Sequence, residues 1–252
     1  YGDHRDLHLS LRRQRQMCIR DRHFAAVSWY RERNDSAADR IEFIHHLSLT
    51  GDDDALAEAL LSEGRTLVKA GHTELLSILK DLDKNDFETR VWGMIRTLRG
   101  DILSIQGRWD EAEVEYDAAT KHVSDSKDGG DLARLLSSRA DIALKRGAMD
   151  DALELHRKAL GIQISIRDAR GAARSYINMG YIFRRRRDTR HALEVYGNVE
   201  ELLNSEGGSE LSDARIRLAS AFIEMGELDR ARDCLLYTSD AADEGLGVDL
   251  GG

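Results

Sequence analysis

Histidine is the residue type in this chain whose spacing first suggests chemistry, because imidazoles one helical turn apart can share a metal ion. His4 and His8 have that spacing. His45 and His46 are adjacent and therefore point to different sides of a helix, and no carboxylate accompanies them at a metal-binding spacing. We interpret both pairs as structural. The sequence thus predicts no metal site and no cofactor.

The run of arginines from Arg184 to Arg187 is the second group with chemical potential. Guanidinium groups donate paired hydrogen bonds to phosphate, which a phosphopeptide or a nucleic acid would supply. A solvated helix end explains the same residues, because the helix dipole favours cations there and Asp188 and Glu194 can screen them. We favour the helix end and predict no direct contact with nucleic acid.

The sequence contains no pattern typical of an enzyme. Serine, histidine and aspartate do not recur at the spacing of a catalytic triad, and neither do cysteine and histidine. The glycine-rich tail at 245–252 follows no predicted strand and opens no helix, whereas a phosphate-binding loop requires both. We therefore predict that the chain is not an enzyme.

The overall composition excludes several classes of protein. A net charge of -9 argues against a nucleic-acid-binding protein, which needs a basic face. No apolar run approaches the roughly 18 residues that a membrane helix requires, so no membrane partner is expected. Only two cysteines occur, which favours a reducing compartment and a cytoplasmic protein. The complete absence of proline favours helices throughout the chain.

Both ends of the chain look foreign to the rest. Residues 12–22 (RRQRQMCIRDR) and 234–244 (CLLYTSDAADE) resemble translated sequencing adapter. We therefore expect residues 1–22 to be an artefactual or disordered tail, and residues 235–252 to be an artefactual tail. Because the chain begins with Tyr1 and not with methionine, we also expect it to be a piece of a longer protein.

A repeat of about 40 residues organises the middle of the chain. Three copies contain a glycine, at 107, 147 and 226, where a helix would end in a left-handed conformation. Small residues flank that position and permit two antiparallel helices to approach closely, so each copy predicts a helical hairpin. The small residues are twelve positions apart in four copies: Gly100 and Ala112, Ala140 and Ala152, Gly180 and Ala192, Ala219 and Ala231.

These copies resemble the tetratricopeptide repeat, with Tyr116, His156 and Tyr196 at a shared position of the second helix. The resemblance implies an all-α fold, an α-solenoid of about six antiparallel helical hairpins in which neighbouring hairpins cover one another's apolar stripes. Residues 88–234 match well and residues 23–87 weakly, so the latter are assigned as degenerate helical repeats. The period exceeds the usual 34 or so residues of the family.

The resemblance implies a protein–protein interaction scaffold or adaptor that holds a peptide or helix of a partner in a concave groove. Fixed positions of each first helix line that groove in the family. Carried onto this sequence, they include Asp101, Arg134, Ser137, Asp141, Arg174, Ile177, Tyr181 and Arg184. We also expect the shortened last repeat to expose apolar surface, through which copies of the chain would self-associate.

A second function fits the same repeats. Their long period and the segment at 23–47 (HFAAVSWYRERNDSAADRIEFIHHL) look like the helical sensor region of large signal-transduction NTPases. That resemblance implies the C-terminal sensor or regulatory arm of a larger nucleotide-dependent transcriptional or signalling regulator. The chain contains no Walker motif, so the nucleotide-binding part would lie upstream of Tyr1. Both interpretations stay open on the sequence alone.

Overall fold

The structure, a computed structural model, describes residues 3–33, 35–123, 129–206 and 212–236. Helices are the regular elements of these ranges, and no strand occurs in them. The all-α fold expected from the sequence is therefore confirmed. The chain divides into two compact units, Tyr1–Asp125 and Ser126–Gly252.

Unit 1 contains three helical hairpins. In the first, α1 (Asp3–Glu32) packs against α2 (Ala37–Ser48). The second begins with α3 (Asp53–Ala59), which continues through a π turn (Leu60–Gly64) into α4 (Arg65–Lys69), and ends with α5 (Leu75–Lys80). A 3-10 turn (Lys84–Asp86) then leads to the third hairpin, in which α6 (Thr89–Ile105) packs along α7 (Trp109–Val123).

Unit 2 also contains three hairpins, and they stack in chain order. They are α8 (Gly130–Lys145) with α9 (Met149–Ser165), α10 (Ala169–Arg185) with α11 (Thr189–Glu206), and α12 (Ser212–Met225) with the helix at 228–236, here named α13. Helix α10 packs against α9 before it and against α12 after it. The described residues thus form six hairpins, as the resemblance to tetratricopeptide repeats implies.

Left-handed residues end the first helix of the repeat hairpins. Gly107, Gly147 and Gly226 have φ angles of 75°, 78° and 79°. Arg187 occupies the same place between α10 and α11, and its φ is 60°. A residue with a side chain pays roughly 1–2 kcal/mol for this conformation, which glycine adopts readily. The turn after α10 is therefore strained where the other three are not.

Small residues lie where the two helices of a hairpin cross most closely. A methyl group added at Gly100 in α6 would overlap the ring of Tyr116 in α7. One added at Gly180 in α10 would likewise overlap the ring of Tyr196 in α11. Both tyrosines are fully buried. The small-residue spacing in the sequence thus marks a crossing in which a ring packs directly on a backbone.

A buried arginine connects the second and third hairpins of unit 1. Nε of Arg99 in α6 donates a hydrogen bond to the carbonyl of Leu79 at 3.0 Å, and its Nη2 donates to the carbonyl of Leu82 at 3.2 Å. The guanidinium carbon also lies 4.9 Å from the ring centre of Trp92. Arg99 therefore adds hydrogen bonds to carbonyls at and just beyond the C-terminal end of α5, where the regular helical pattern stops.

The two adapter-like ends differ in how far the structure describes them. Helix α1 begins at Asp3 and so includes residues 3–22, the segment for which an artefactual or disordered tail is expected. At the other end, α13 includes residues 235 and 236. Residues 237–252, with the glycine-rich tail, lie outside the described residues. The artefactual origin of both segments stays a prediction.

Candidate functional site

Polar side chains of α10 in unit 2 bond to the first helices of both neighbouring hairpins. Nδ2 of Asn178 donates a hydrogen bond to Oδ1 of Asp141 in α8 at 3.2 Å. Nη2 of Arg184 lies 2.5 Å from Oε2 of Glu224 in α12, and its Nη1 donates to the carbonyl of Ala221 at 3.4 Å. These contacts show that α8, α10 and α12 present polar side chains to a shared surface.

We define this surface, the first-helix face, by Asp141 of α8 together with Arg174, Asn178, Tyr181 and Arg184 of α10. The α10 residues recur every three or four positions, which places them along one side of the helix. Tyr181 is exposed over 41% of its surface, and the guanidinium carbon of Arg184 lies 5.9 Å from its ring centre. The face therefore offers an aromatic ring beside cationic groups.

Arg174 differs from the other charged groups of the first-helix face. Arg184 is neutralised by Glu224, and Asp141 accepts from Asn178. Arg174 is half-buried and makes no hydrogen bond or ion pair with any other residue that the structure describes. Its guanidinium group thus keeps its donors for a partner.

Two of the predicted groove residues are interior. Ser137 is only 2% exposed, and its hydroxyl donates to the carbonyl of Ala133 at 3.0 Å. Gln163 connects it to α10, since Nε2 of Gln163 donates to Oγ of Ser137 at 3.5 Å while Oε1 accepts from Oγ of Ser175 at 2.8 Å. Ile177 is 7% exposed. In this conformation, Ser137 and Ile177 support the face from beneath and do not line it.

The remaining two predicted residues lie elsewhere. Arg134, at the start of α8, is partly exposed and pairs with Asp131, with 2.9 Å between Nη2 and Oδ1. Asp101 belongs to α6 in unit 1, where its Oδ1 accepts a hydrogen bond from the hydroxyl of Tyr116 at 2.7 Å. Seven of the eight predicted residues therefore belong to unit 2, and the first-helix face includes four of them.

Comparison with known families agrees with the hairpin geometry. The tetratricopeptide repeat family matches residues 93–165 and, overlapping them, residues 131–205. Residues 93–205 thus match the tetratricopeptide repeat family. The family supports a general role as a protein-interaction scaffold, for which stacked repeats provide an extended surface.

Solved structures share the tetratricopeptide-like fold along most of the chain. The crystal structure of BtubC (BKLC) from P. vanneervenii has a TM-score of 0.55 and 16% identity, covering 94% of this chain and 94% of that chain. The crystal structure of the apo form of RapI has a TM-score of 0.52 and 10% identity, covering 92% of this chain and 67% of that chain. At these identities the likeness shows the fold alone. A comparison with curated proteins gave no match.

His156 is an unusual feature of these tetratricopeptide repeats. It takes the position of Tyr116 and Tyr196, is fully buried, and neither ring nitrogen has a hydrogen-bond partner in the part of the chain that the structure describes. Burial, and then the charge of Arg174, lowers the pKa of His156 to about 4. The imidazole is therefore neutral at pH 7, and its 4.0 Å approach to Oδ1 of Asp141 is not an ion pair. The sequence marks this residue, because histidine takes a repeat position that is tyrosine in the two neighbouring copies.

The four-arginine run does not form one basic patch in the repeats. Arg184 pairs with Glu224, and Nη2 of Arg186 lies 2.6 Å from Oδ1 of Asp150 in α9. Arg187 is the left-handed residue of the turn. The interpretation as a helix end agrees with this placement, because the run spans the end of α10.

The described residues lack two further kinds of feature. No helix among them is both long enough and apolar enough to cross a membrane. Nor do they contain a group of three or more histidine, cysteine, aspartate or glutamate residues that could hold a metal ion.

Proposed function

We propose that the chain is an interaction scaffold whose unit 2 binds a peptide or helix of a partner protein on the first-helix face. The observation that carries this proposal is the pair formed by Arg174 and Tyr181. Both belong to one side of α10, Tyr181 is exposed, and Arg174 has no ion-pair partner among the described residues. Neighbouring polar groups are held by internal contacts, so the face is preorganised, which reduces the entropic cost of binding.

The chemistry of this pair suggests what the partner carries. An acidic side chain would pair with Arg174, and an apolar or aromatic side chain would pack on Tyr181. The two residues are seven positions apart in the helix, which is roughly 10 Å along its axis. An extended peptide covers that distance in about three residues. We therefore propose a segment with an acidic residue about three positions from an apolar or aromatic one.

Selection from a random peptide library on the purified full chain tests this proposal. Enriched peptides should contain the acidic and apolar residues at that spacing. Arg174→Glu should weaken their binding by roughly tenfold or more, because the pair is replaced by a like-charge contact. Arg157→Glu is the matched control, since Arg157 is an exposed arginine of α9 outside the face.

Two outcomes would argue against the proposal. One is enrichment of peptides that bind Arg174→Glu, Tyr181→Ala and the unsubstituted protein equally well. The other is a loss of binding that is as large in Arg157→Glu as in Arg174→Glu, which would indicate a general effect of charge.

A further inference from the structure

A second open surface lies in unit 1, where α3 and its π turn face the start of α6. A cleft of about 510 Å³ separates them. Its floor is apolar and includes Leu61, which is exposed over 44% of its surface, half-buried Phe87 and buried Val91. Phe87 stacks on Trp92, with 6.5 Å between ring centres. The volume falls in the range of roughly 300–1,000 Å³ that is typical of ligand sites.

Carboxylates also line the cleft, and we call them the acidic rim. Those that line the cleft are Asp53, Asp54, Glu58, Asp86 and Glu88. None of the five forms an ion pair with a basic residue of the described ranges. Helix N-termini favour acidic residues, and both α3 and α6 begin here. That preference accounts for the acids but not for an accessible leucine and phenylalanine between them.

The carboxylates of the two chain segments act on one another. Partial burial raises the pKa of Asp53, and the charges of Asp86, Asp54 and Asp52 raise it further. Negative potential from α3 and from the 3-10 turn therefore adds at the cleft. The acids come from two chain segments and do not form a metal-binding group among the described residues. Their arrangement fits an elongated cationic ligand better than a single ion.

We infer that this cleft binds a basic peptide segment of a partner protein, with one large apolar side chain on Leu61 and Phe87 and flanking lysine or arginine residues on the acidic rim. Lysine and arginine suit such a rim, because their aliphatic stems cover apolar surface while their charges reach the carboxylates. Acidic peptides, nucleic acids and anionic lipids are repelled by the same charges. The cleft belongs to unit 1 and is independent of the first-helix face of unit 2.

Titration of the full chain with three fluorescent hexapeptides tests this inference. The first, KKLFKK, has both features of the expected segment, KKSSKK lacks the apolar centre, and EELFEE reverses the charge. We expect saturable binding of KKLFKK only, weakening as salt is raised because exposed charges are screened. Hydrogen exchange of the complex should show protection within residues 53–62 and 86–91.

Paired variants locate the site. Asp54→Asn with Asp86→Asn should weaken KKLFKK binding roughly three- to tenfold, because two exposed charge pairs are lost. The control is Asp151→Asn with Glu201→Gln, which removes two exposed carboxylates from unit 2 and should leave binding unchanged. Leu61→Ser should weaken binding at least about threefold, as expected for lost apolar contact. Val114→Ser, at an exposed valine of α7, should not.

Several results would overturn the inference. Equal affinity for KKLFKK and KKSSKK would show attraction to net charge without use of the apolar floor. Equal losses in the cleft and control variants, or protection confined to other segments, would place binding elsewhere. No saturable binding of KKLFKK at about 1 mM peptide would also reject it. Thermal melting of each variant distinguishes lost binding from lost folding.

Discussion

The ring of Tyr116 occupies the space in which a side chain of Gly100 would lie. The α10/α11 hairpin shows the same relationship between Tyr196 and Gly180. In the hairpin between them, His156 replaces the tyrosine and Ala140 replaces the glycine, and both are fully buried. The smaller ring, histidine, thus faces alanine, and the larger ring, tyrosine, faces glycine. The residue sizes at these two positions therefore vary together among the three hairpins.

Gly100→Ala should therefore destabilise the protein by roughly 1–3 kcal/mol, the usual cost of overpacking a core. Gly161→Ala is the control, because Gly161 lies in α9 with open space around it. It should stabilise the helix by roughly 0.5–1 kcal/mol. Adding Tyr116→His to Gly100→Ala should recover part of the lost stability, since histidine and alanine occupy these two positions in the α8/α9 hairpin. Urea unfolding measures all three, and an additive double variant would reject the size relationship.

Arg187→Gly should stabilise the protein by about 1 kcal/mol, because glycine adopts the positive φ of this turn without strain. The matched substitution Arg185→Gly, in the last turn of α10, should instead cost about 1 kcal/mol. Denaturant midpoints of the two variants should therefore move in opposite directions. A loss of stability in both would show that the turn is not strained at Arg187.

His156 should make stability depend on pH. Its pKa is about 4 in the folded protein and near the ordinary 6.5 when unfolded, so the unfolded chain binds the proton more readily. Stability should be constant in this respect above pH 6.5 and should fall by about 3 kcal/mol as pH decreases towards 4. His156→Leu removes the ionisable group and should flatten that slope. His45→Gln, at an exposed histidine, should leave the slope in place.

Self-association through the last hairpin stays a prediction, and the structure suggests how to test it. Ile223, Leu228, Leu235 and Leu236 surround a shallow apolar cleft and are exposed over 53%, 65%, 43% and 54% of their surfaces. Light scattering should show a molar mass that rises with protein concentration. Leu228→Lys with Leu236→Lys should restore the monomer mass. Lysines at the exposed Val114 and Ile164, which are outside this cleft, should not.

Repeat spacing in the sequence was sufficient to predict the hairpins, because the close helix crossing accepts only small residues. Gly100 and Gly180 marked where the paired helices cross, and glycines at 107, 147 and 226 marked where the first helices end. The helix end at Arg184–Arg187 was predicted, but the left-handed conformation of Arg187 was not, since glycine takes this place in the other repeats. Neither was the π turn at 60–64, because its only weak helix former, Gly64, is also tolerated inside a continuous α-helix.

The candidate site was predicted less completely than the fold. Register alone cannot distinguish an exposed position from one that the next hairpin covers. Ser137 and Ile177 were therefore included in the predicted groove, although both are interior. The pairing of Arg184 with Glu224 depends on the stacking of α12, which no local pattern reveals. Arg174 and Tyr181 stay in the proposed site because both retain accessible surface.

The buried polar chain from Ser137 through Gln163 to Ser175 makes the hairpins of unit 2 non-interchangeable. A copy of the α10/α11 hairpin placed before itself would present Leu203 at the position of Gln163, forty residues earlier in the repeat. Leucine cannot accept a hydrogen bond from the hydroxyl of Ser175, so an unsatisfied buried group would remain, at a cost of roughly 1–3 kcal/mol. Lengthening this protein by duplication therefore requires copying α8–α11 together, because adjacent hairpins must match in their buried hydrogen bonds as well as in their shape.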